Sequence, residues 1–196
     1  ARVPVHMRRE VVEHAYRAHV PGTLDFKGDA PVTAEVKLRT LDDVQVASLN
    51  SSPLDIHAPA TDKIYLAIAD GYGTIDARGA AVAVKPGDVN TMRFGVTVVA
   101  TQSRILSIAI PRSRLVPMLA DVDSLDRTHD LANPAARMLQ NYAQTMFADG
   151  RELGGAEQAL FSSHIVDLAA LLLGGKRDAA EKARHGGGRA ARRQAV

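Results

Sequence analysis

Residues 63–115 read KIYLAIADGYGTIDARGAAVAVKPGDVNTMRFGVTVVATQSRILSIAIPRSRL. Ile64, Leu66 and Ile68 alternate with other residues, as do Val82 and Val84, which is the period-2 spacing of a half-buried strand. Gly71, Gly73 and Gly79 and the Pro86-Gly87-Asp88 turn supply tight reversals between successive strands. After Ile110 the period changes to 3.6, and Pro111-Arg112-Ser113-Arg114-Leu115 leads into a helix. The stretch therefore predicts a compact antiparallel barrel or sandwich that turns abruptly helical.

Outward from it, the spacing predicts strands at 34–41, 44–49, 63–69, 72–78, 80–85, 89–92, 96–101 and 104–110. Residues 50–62, rich in Ser, Pro and Asp, read as a long loop. An amphipathic helix precedes the strands at 6–19, stopped by Pro21-Gly22. Short helix 112–120 follows the strands, then a helix opened by Asn133 as N-cap with Pro134 at its first position. Its apolar stripe is Met138, Leu139, Tyr142, Ala143 and Met146. A third helix, 156–173, carries Leu160, Phe161, His164, Ile165, Leu168 and Leu172 on one broad face. Burying such stripes is worth about 25 cal/mol per Å². They either pack back on the strands or pair with a second copy, and the residues alone leave both open.

Composition narrows the chemistry. The 196 residues are 46% apolar, enough for a real core, with 4% aromatic residues, no Trp and no Cys. Disulfides, thiol catalysis and Cys-ligated zinc are excluded, and stacking platforms for bases are few. Residues 176–196 hold seven Lys or Arg and two acids, a local charge of +5 within a chain of net charge +2, which leaves −3 for residues 1–175. A mildly acidic body is a poor nucleic-acid wrapper. The apolar run 165–173 is broken by Asp167 and too short to span a bilayer. Arg8, Arg9, Glu10 and Glu13 break any signal-peptide pattern at the start. A reducing cytoplasm is the expected location.

Together, the glycine pattern, the Pro86-Gly87-Asp88 turn and the exit at 110–115 resemble the N-terminal effector-sensing domain of AraC-type (AraC/XylS) transcriptional regulators. The resemblance implies an α+β fold: an antiparallel cupin-like barrel or sandwich of about eight strands, an N-terminal helix, and a C-terminal bundle of two to four helices. It implies a sensing barrel over residues 1–110, a helical dimerisation segment over 111–175, and a basic linker over 176–196. That linker would lead toward a helix-turn-helix DNA-binding domain that is not in this chain. It also tips the two helical stripes toward a homodimer interface: Met138, Leu139, Tyr142, Met146, Leu160, Phe161, His164, Leu168 and Leu172. The expected partners are a small-molecule effector and a second copy, with DNA reached only through the missing domain and no membrane.

Candidate chemistry is thin. Metal-binding cupins carry an HxH pair, a Glu and a further His, but here the matching region offers only His57, with Asn90 and Thr91 after the turn. No metal and no cofactor are expected. There is no GxSxG elbow, and Ser162 and Ser163 cannot form a relay with the adjacent helical His164. No catalytic residue is expected, and the chain reads as a non-enzyme. Small-molecule binding needs mostly apolar walls with a few orienting polar groups. His57, Tyr65, Tyr72, Arg78, Met92, Arg93 and Phe94 are the candidates, with His57 placed on a loop at the barrel mouth. A stand-alone cupin-like enzyme or metabolite-binding protein is the alternative, and a scaffold with a filled barrel is the blandest reading.

Overall fold

The computed structural model describes residues 3–4, 7–28, 32–77, 80–92, 96–100, 103–122, 125, 128–148 and 152–175. Helix α1 (Arg8–Arg17) leads into strands β1 (Thr23–Phe26), β2 (Ala34–Leu41), β3 (Val44–Ser51), β4 (Leu54–Ala58), β5 (Lys63–Ala69) and β6 (Gly73–Ala77). β7 (Ala80–Val84), β8 (Asp88–Met92), β9 (Val96–Ala100) and β10 (Ser103–Pro111) follow, then α2 (Arg112–Leu115) and a 3-10 turn at Val116–Met118. β11 (His129–Asp130), α3 (Pro134–Ala148) and α4 (Gly155–Leu172) complete the described chain.

The strands form two antiparallel sheets, ordered β1-β4-β9-β6-β7 and β11-β8-β5-β10-β3-β2. They face each other as a sandwich and do not close into one hydrogen-bonded barrel. Eleven strands among the described residues replace the expected eight. The additional ones are β1, β4 and β11. β4 runs through the supposed 50–62 loop, where Leu54 and Ile56 are buried, while Asp55 and His57 alternate with them. Both neighbours of β4 supply ladder bonds, with Ile56 opposite Leu24 on β1 and Val98 on β9. Pairing on both edges outweighs the turn-prone composition of Ser51, Ser52 and Pro53.

The turn at Pro86-Gly87-Asp88 is built as its residues require. Gly87 sits at φ 92, a conformation L side chains rarely adopt. The Asp88 carboxylate accepts the Lys85 backbone N–H at 2.9 Å, and Gly87 N–H donates to Ala69 O at 2.8 Å.

β5 is buried on both faces, so the six-stranded sheet is a partition between two cores. On one face Ile64, Leu66, Ile68, Ile108 and Ile110 meet α3 and α4 through Leu139, Tyr142, Ile165 and Leu168. On the other face Tyr65 and Ala109 meet Leu24, Leu54 and Ile56 of the five-stranded sheet, together with Val12, Tyr16 and Val20 from α1 and the turn after it. The helices thus pack back on the strands. Residues 165–170 of α4 are buried all round, as expected of a helix whose apolar residues are not confined to a stripe.

Capping follows the sequence. Asn133 Oδ1 accepts the Ala135 N–H at 2.9 Å, opening α3. At the exit, Arg114 donates to Asp43 in the β2–β3 turn and to Ser162 Oγ on α4 at 2.6 Å. Ser162 Oγ in turn donates to Asp43 Oδ1 at 3.2 Å. Ser162 is fully buried in this bridge, which ties the helical layer to a hairpin of the sandwich.

Candidate functional site

Between the sheets lies a cavity of about 50 Å³. Its walls come from Ala67 and Ala69 on β5, Asn90 and Met92 on β8, Ile105 and Ser107 on β10, and Ile56 on β4. Val98, Ile75 and Val84 close it from the other sheet, and Tyr16 and Val20 close one end. The small side chains of Ala67 and Ala69 leave the space.

The polar groups of this wall fall in one row. Ala67 is paired with Asn90 on one side and with Ser107 on the other. Asn90, Ala67 and Ser107 therefore share the lumen face across three adjacent strands, a span of about 9.5 Å between the outer Cα atoms. Asn90 is buried, its Oδ1 accepts the Thr128 hydroxyl at 3.2 Å, and its Nδ2 has no hydrogen-bond partner.

Behind Ser107 lies His19, 1% exposed. Its Nε2 is 2.8 Å from Ser107 Oγ and its Nδ1 has no partner. The ring stands edge-on to Tyr65 at 5.8 Å, and the Tyr65 hydroxyl donates to the His19 carbonyl at 3.3 Å. Burial, with the Lys63 charge as a second cause, lowers the imidazole to about 4, so it is neutral at pH 7. Burial also raises the Tyr16 and Tyr65 phenols above their ordinary value.

The Ser107–His19 separation is that of a nucleophile and its base. The chemistry is not. An imidazole held near 4 is a poor base at neutral pH. No third group orients the ring through Nδ1. The pair serves to lock the turn after α1 onto β10. Among the described residues no three His, Asp or Glu side chains converge as metal ligands would.

The structure distributes the sequence candidates unevenly. Met92 and Tyr72 line the cavity, Tyr72 at its rim and 67% exposed. Tyr65 lies on the lumen face of β5, in the core beside the cavity. His57 is corrected from a mouth loop to strand β4. It is exposed there and bonds through Nδ1 to Thr97 Oγ1 at 3.1 Å, while Ile56 and Ala58 line the cavity. Arg78, Arg93 and Phe94 lie outside the described residues, as does the basic segment 176–196. His19, Ser107 and Asn90 were not singled out for the lumen. His19 and Ser107 are 88 residues apart, and no local spacing joins them.

Of the two helical stripes, Leu139, Tyr142, Met146, Leu168 and Leu172 are buried within the chain. Met138, Phe161 and His164 are half-buried, and Leu160 is 54% exposed. The Tyr142 hydroxyl, whose pKa burial raises, lies 2.7 Å from His164 Nδ1 across the α3–α4 seam. Burial lowers His164, against an opposing effect of Asp167.

Two antiparallel sheets enclose an apolar lumen, and helices cover the outer face of one sheet, which makes a β-sandwich with a helical layer. The AraC-binding-like domain family matches residues 10–174, and the chain belongs to that family. Among solved structures it is similar to the AraC-like transcriptional activator CuxR, at 14% identity and a TM-score of 0.64 over 82% of this chain. The chain spans 65% of that protein's length, and at this identity the likeness is one of fold. Weaker likenesses are the Clostridium difficile EutQ protein (12% identity, TM-score 0.35, 41% of this chain and 69% of that one) and ectoine synthase from P. lautus (13%, 0.36, 44% and 68%). No curated protein sequence matches this one. No helix among the described residues is long and apolar enough to cross a membrane.

Proposed function

We propose that this chain is the effector-sensing and dimerisation part of an AraC-like transcription factor of the cytoplasm, without catalysis of its own. Residues 1–110 hold the sensing sandwich, 111–175 the helical dimerisation segment, and 176–196 a basic linker toward a helix-turn-helix domain that reads DNA. The observation that carries the reading is the apolar lumen on one face of a sheet whose other face holds the helices. Tyr65, Ala67 and Ala69 alternate along β5 with Ile64, Leu66 and Ile68, so a ligand that displaces the first set displaces the second. The ligand acts by binding one arrangement of the helices better than another.

Ligand entry is tested by thermal shift against a library of small metabolites. Compounds that raise the midpoint of the wild-type protein are expected to lose that effect in Ala67→Leu, which fills the lumen. Hits that survive the substitution bind elsewhere and remove the sensing role from this cavity.

The dimer face that fits is the outer surface of α4 around Leu160 and Phe161, with Met138 and His164 beside it. Light scattering at tens of micromolar is expected to return twice the 20.9 kDa chain mass. Leu160→Glu, placing a charge on the most exposed leucine of the helix, is expected to return the monomer. A wild-type monomer at that concentration sinks the dimer proposal.

A further inference from the structure

We propose that the edge of β2 pairs with the same edge of a second copy, antiparallel and centred on Val36, as a weak contact separate from the outer face of α4. β2 ends the six-stranded sheet and, among the described residues, pairs with β3 alone. The hairpin decides which backbone groups it leaves over. The two-residue turn Asp42-Asp43 sets Leu41 opposite Val44, and Ser52 N–H donates to Thr33 O at 2.9 Å where the same register continues. The odd-numbered residues of β2 thus bond to β3, while Ala34, Val36 and Leu38 turn their N–H and C=O groups toward the outer edge. Pairing there would run the six-stranded sheet of one copy into that of the other.

Charged side chains on an edge strand usually keep other strands away. On β2 they select one partner. Glu35 and Lys37, both more than half exposed, stand 3.2 Å apart along the strand. With Val36 on the two-fold axis, each Glu35 lies opposite the partner's Lys37, at the non-hydrogen-bonded positions where facing side chains come closest. The charges of the two copies then alternate in a ring. A slip of two residues, the smallest that keeps each face of the strand, sets Glu35 opposite Glu35 or Lys37 opposite Lys37. The apolar face agrees with the same register, which places Ala34 opposite the partner's Leu38. Ala34 and Val36 line a groove of about 370 Å³ together with Val11, Val12 and Ala15 of α1. Leu38 is 37% and Val11 41% exposed, and the partner's Leu38 over this groove covers both. Five paired residues from each copy fall short of the roughly 1,200 Å² of a stable interface. Association is therefore expected at about 1 mM, well above the concentration that tests the α4 face.

Amide hydrogen exchange of the wild-type protein tests the pairing. Between about 0.05 and 1 mM, exchange at Val36 and Leu38 is expected to slow about twofold, while Glu35 and Lys37, already bonded to β3, keep their rates. Rates that do not change with concentration overturn the second copy as occupant. Full protection at the lowest concentration would give the edge to another segment of the same chain. The register is tested by cross-linking, since the chain has no cysteine. Val36→Cys sets two thiols across the axis, with Cα atoms about 5.5 Å apart, a separation a disulfide spans. Under an oxidant it is expected to link about tenfold faster than Thr40→Cys, whose two copies lie about 27 Å apart along the strands. Equal rates overturn the register. Glu35→Lys or Lys37→Glu, each added to Val36→Cys, is expected to slow linking, and mixing the two forms is expected to restore it as the mixed dimer. Homodimers as abundant as the mixed product overturn the charge ring. The exchange measurement uses no variant and decides the pairing even if a substituted chain does not fold.

Discussion

Between pH 6.5 and pH 4 the protein is expected to lose about 3 kcal/mol of stability through one side chain, His19. In the folded chain burial, followed by the nearby Lys63 charge, holds its pKa at about 4 against an ordinary 6.5. At pH 7 both folded and unfolded forms carry the neutral ring, and the stability is fully present. As the pH falls below 6.5 the unfolded chain binds a proton that the folded chain refuses, so unfolding becomes progressively easier. The loss is complete once the pH passes below about 4. Urea unfolding at pH 7, 5.5 and 4 measures it, and carboxylates titrating in the same range are subtracted by the same series on His19→Gln. The difference between the two proteins is expected to shrink by about 3 kcal/mol across the window. Parallel curves would mean that the imidazole is not held neutral between Ser107, Tyr16 and Tyr65. The effect has a structural address, since the residue anchors the turn after α1 to β10 through Ser107. Protonation inserts a charge between α1 and the end of the lumen that Tyr16 and Val20 close.

The sandwich was legible in residues 63–115 because both of its signals are local. Alternation reports a pleated strand, and the Pro86-Gly87-Asp88 turn reports a backbone that only glycine enters easily, as Gly87 at φ 92 does. β4 was hidden because only Leu54 and Ile56 mark its buried face, between Ser51-Ser52-Pro53 and Pro59. What makes it a strand is pairing with residues on β1 and β9 that are distant in sequence, such as Leu24 and Val98 opposite Ile56. The lumen was half legible. Tyr65 and Met92 share its face because they are opposite each other on β5 and β8, but alternation cannot say which face of a strand looks inward when both are buried. Asn90 follows the Pro86-Gly87-Asp88 turn in sequence, and only the register of β8, β5 and β10 sets it in a row with Ala67 and Ser107. The helical stripes told that something covers them and not what, since an apolar stripe meets a sheet and a second copy with the same spacing.

That last ambiguity carries the other large effect. Leu139 and Ile165 are fully buried in the cluster that also holds Leu66 and Ile108 of the six-stranded sheet. Truncation of such a leucine costs the transfer of its methyl groups and the cavity they leave, about 2–5 kcal/mol. Leu139→Ala is therefore expected to destabilise the chain by about 3 kcal/mol and lower its melting point by roughly 6–12 °C. If Leu139 served a dimer interface instead, the substitution would leave the monomer's stability alone and make the melting point depend on protein concentration. Melting curves taken across a hundredfold dilution separate the two. The intramolecular packing predicts the same loss at each concentration, and a concentration-dependent loss would return Leu139 to the interface. Near-ultraviolet signals from Tyr65 and Tyr142, on opposite sides of the partition sheet, are expected to melt with the helical signal in one transition. The cost of pairing Leu139→Ala with Leu66→Ala is expected to depart from the sum of the two, because residues packed in one core share the cavity they leave. Such coupling is also what the sensing role demands, for helices that share a core with β5 cannot ignore a ligand pressing on its other face.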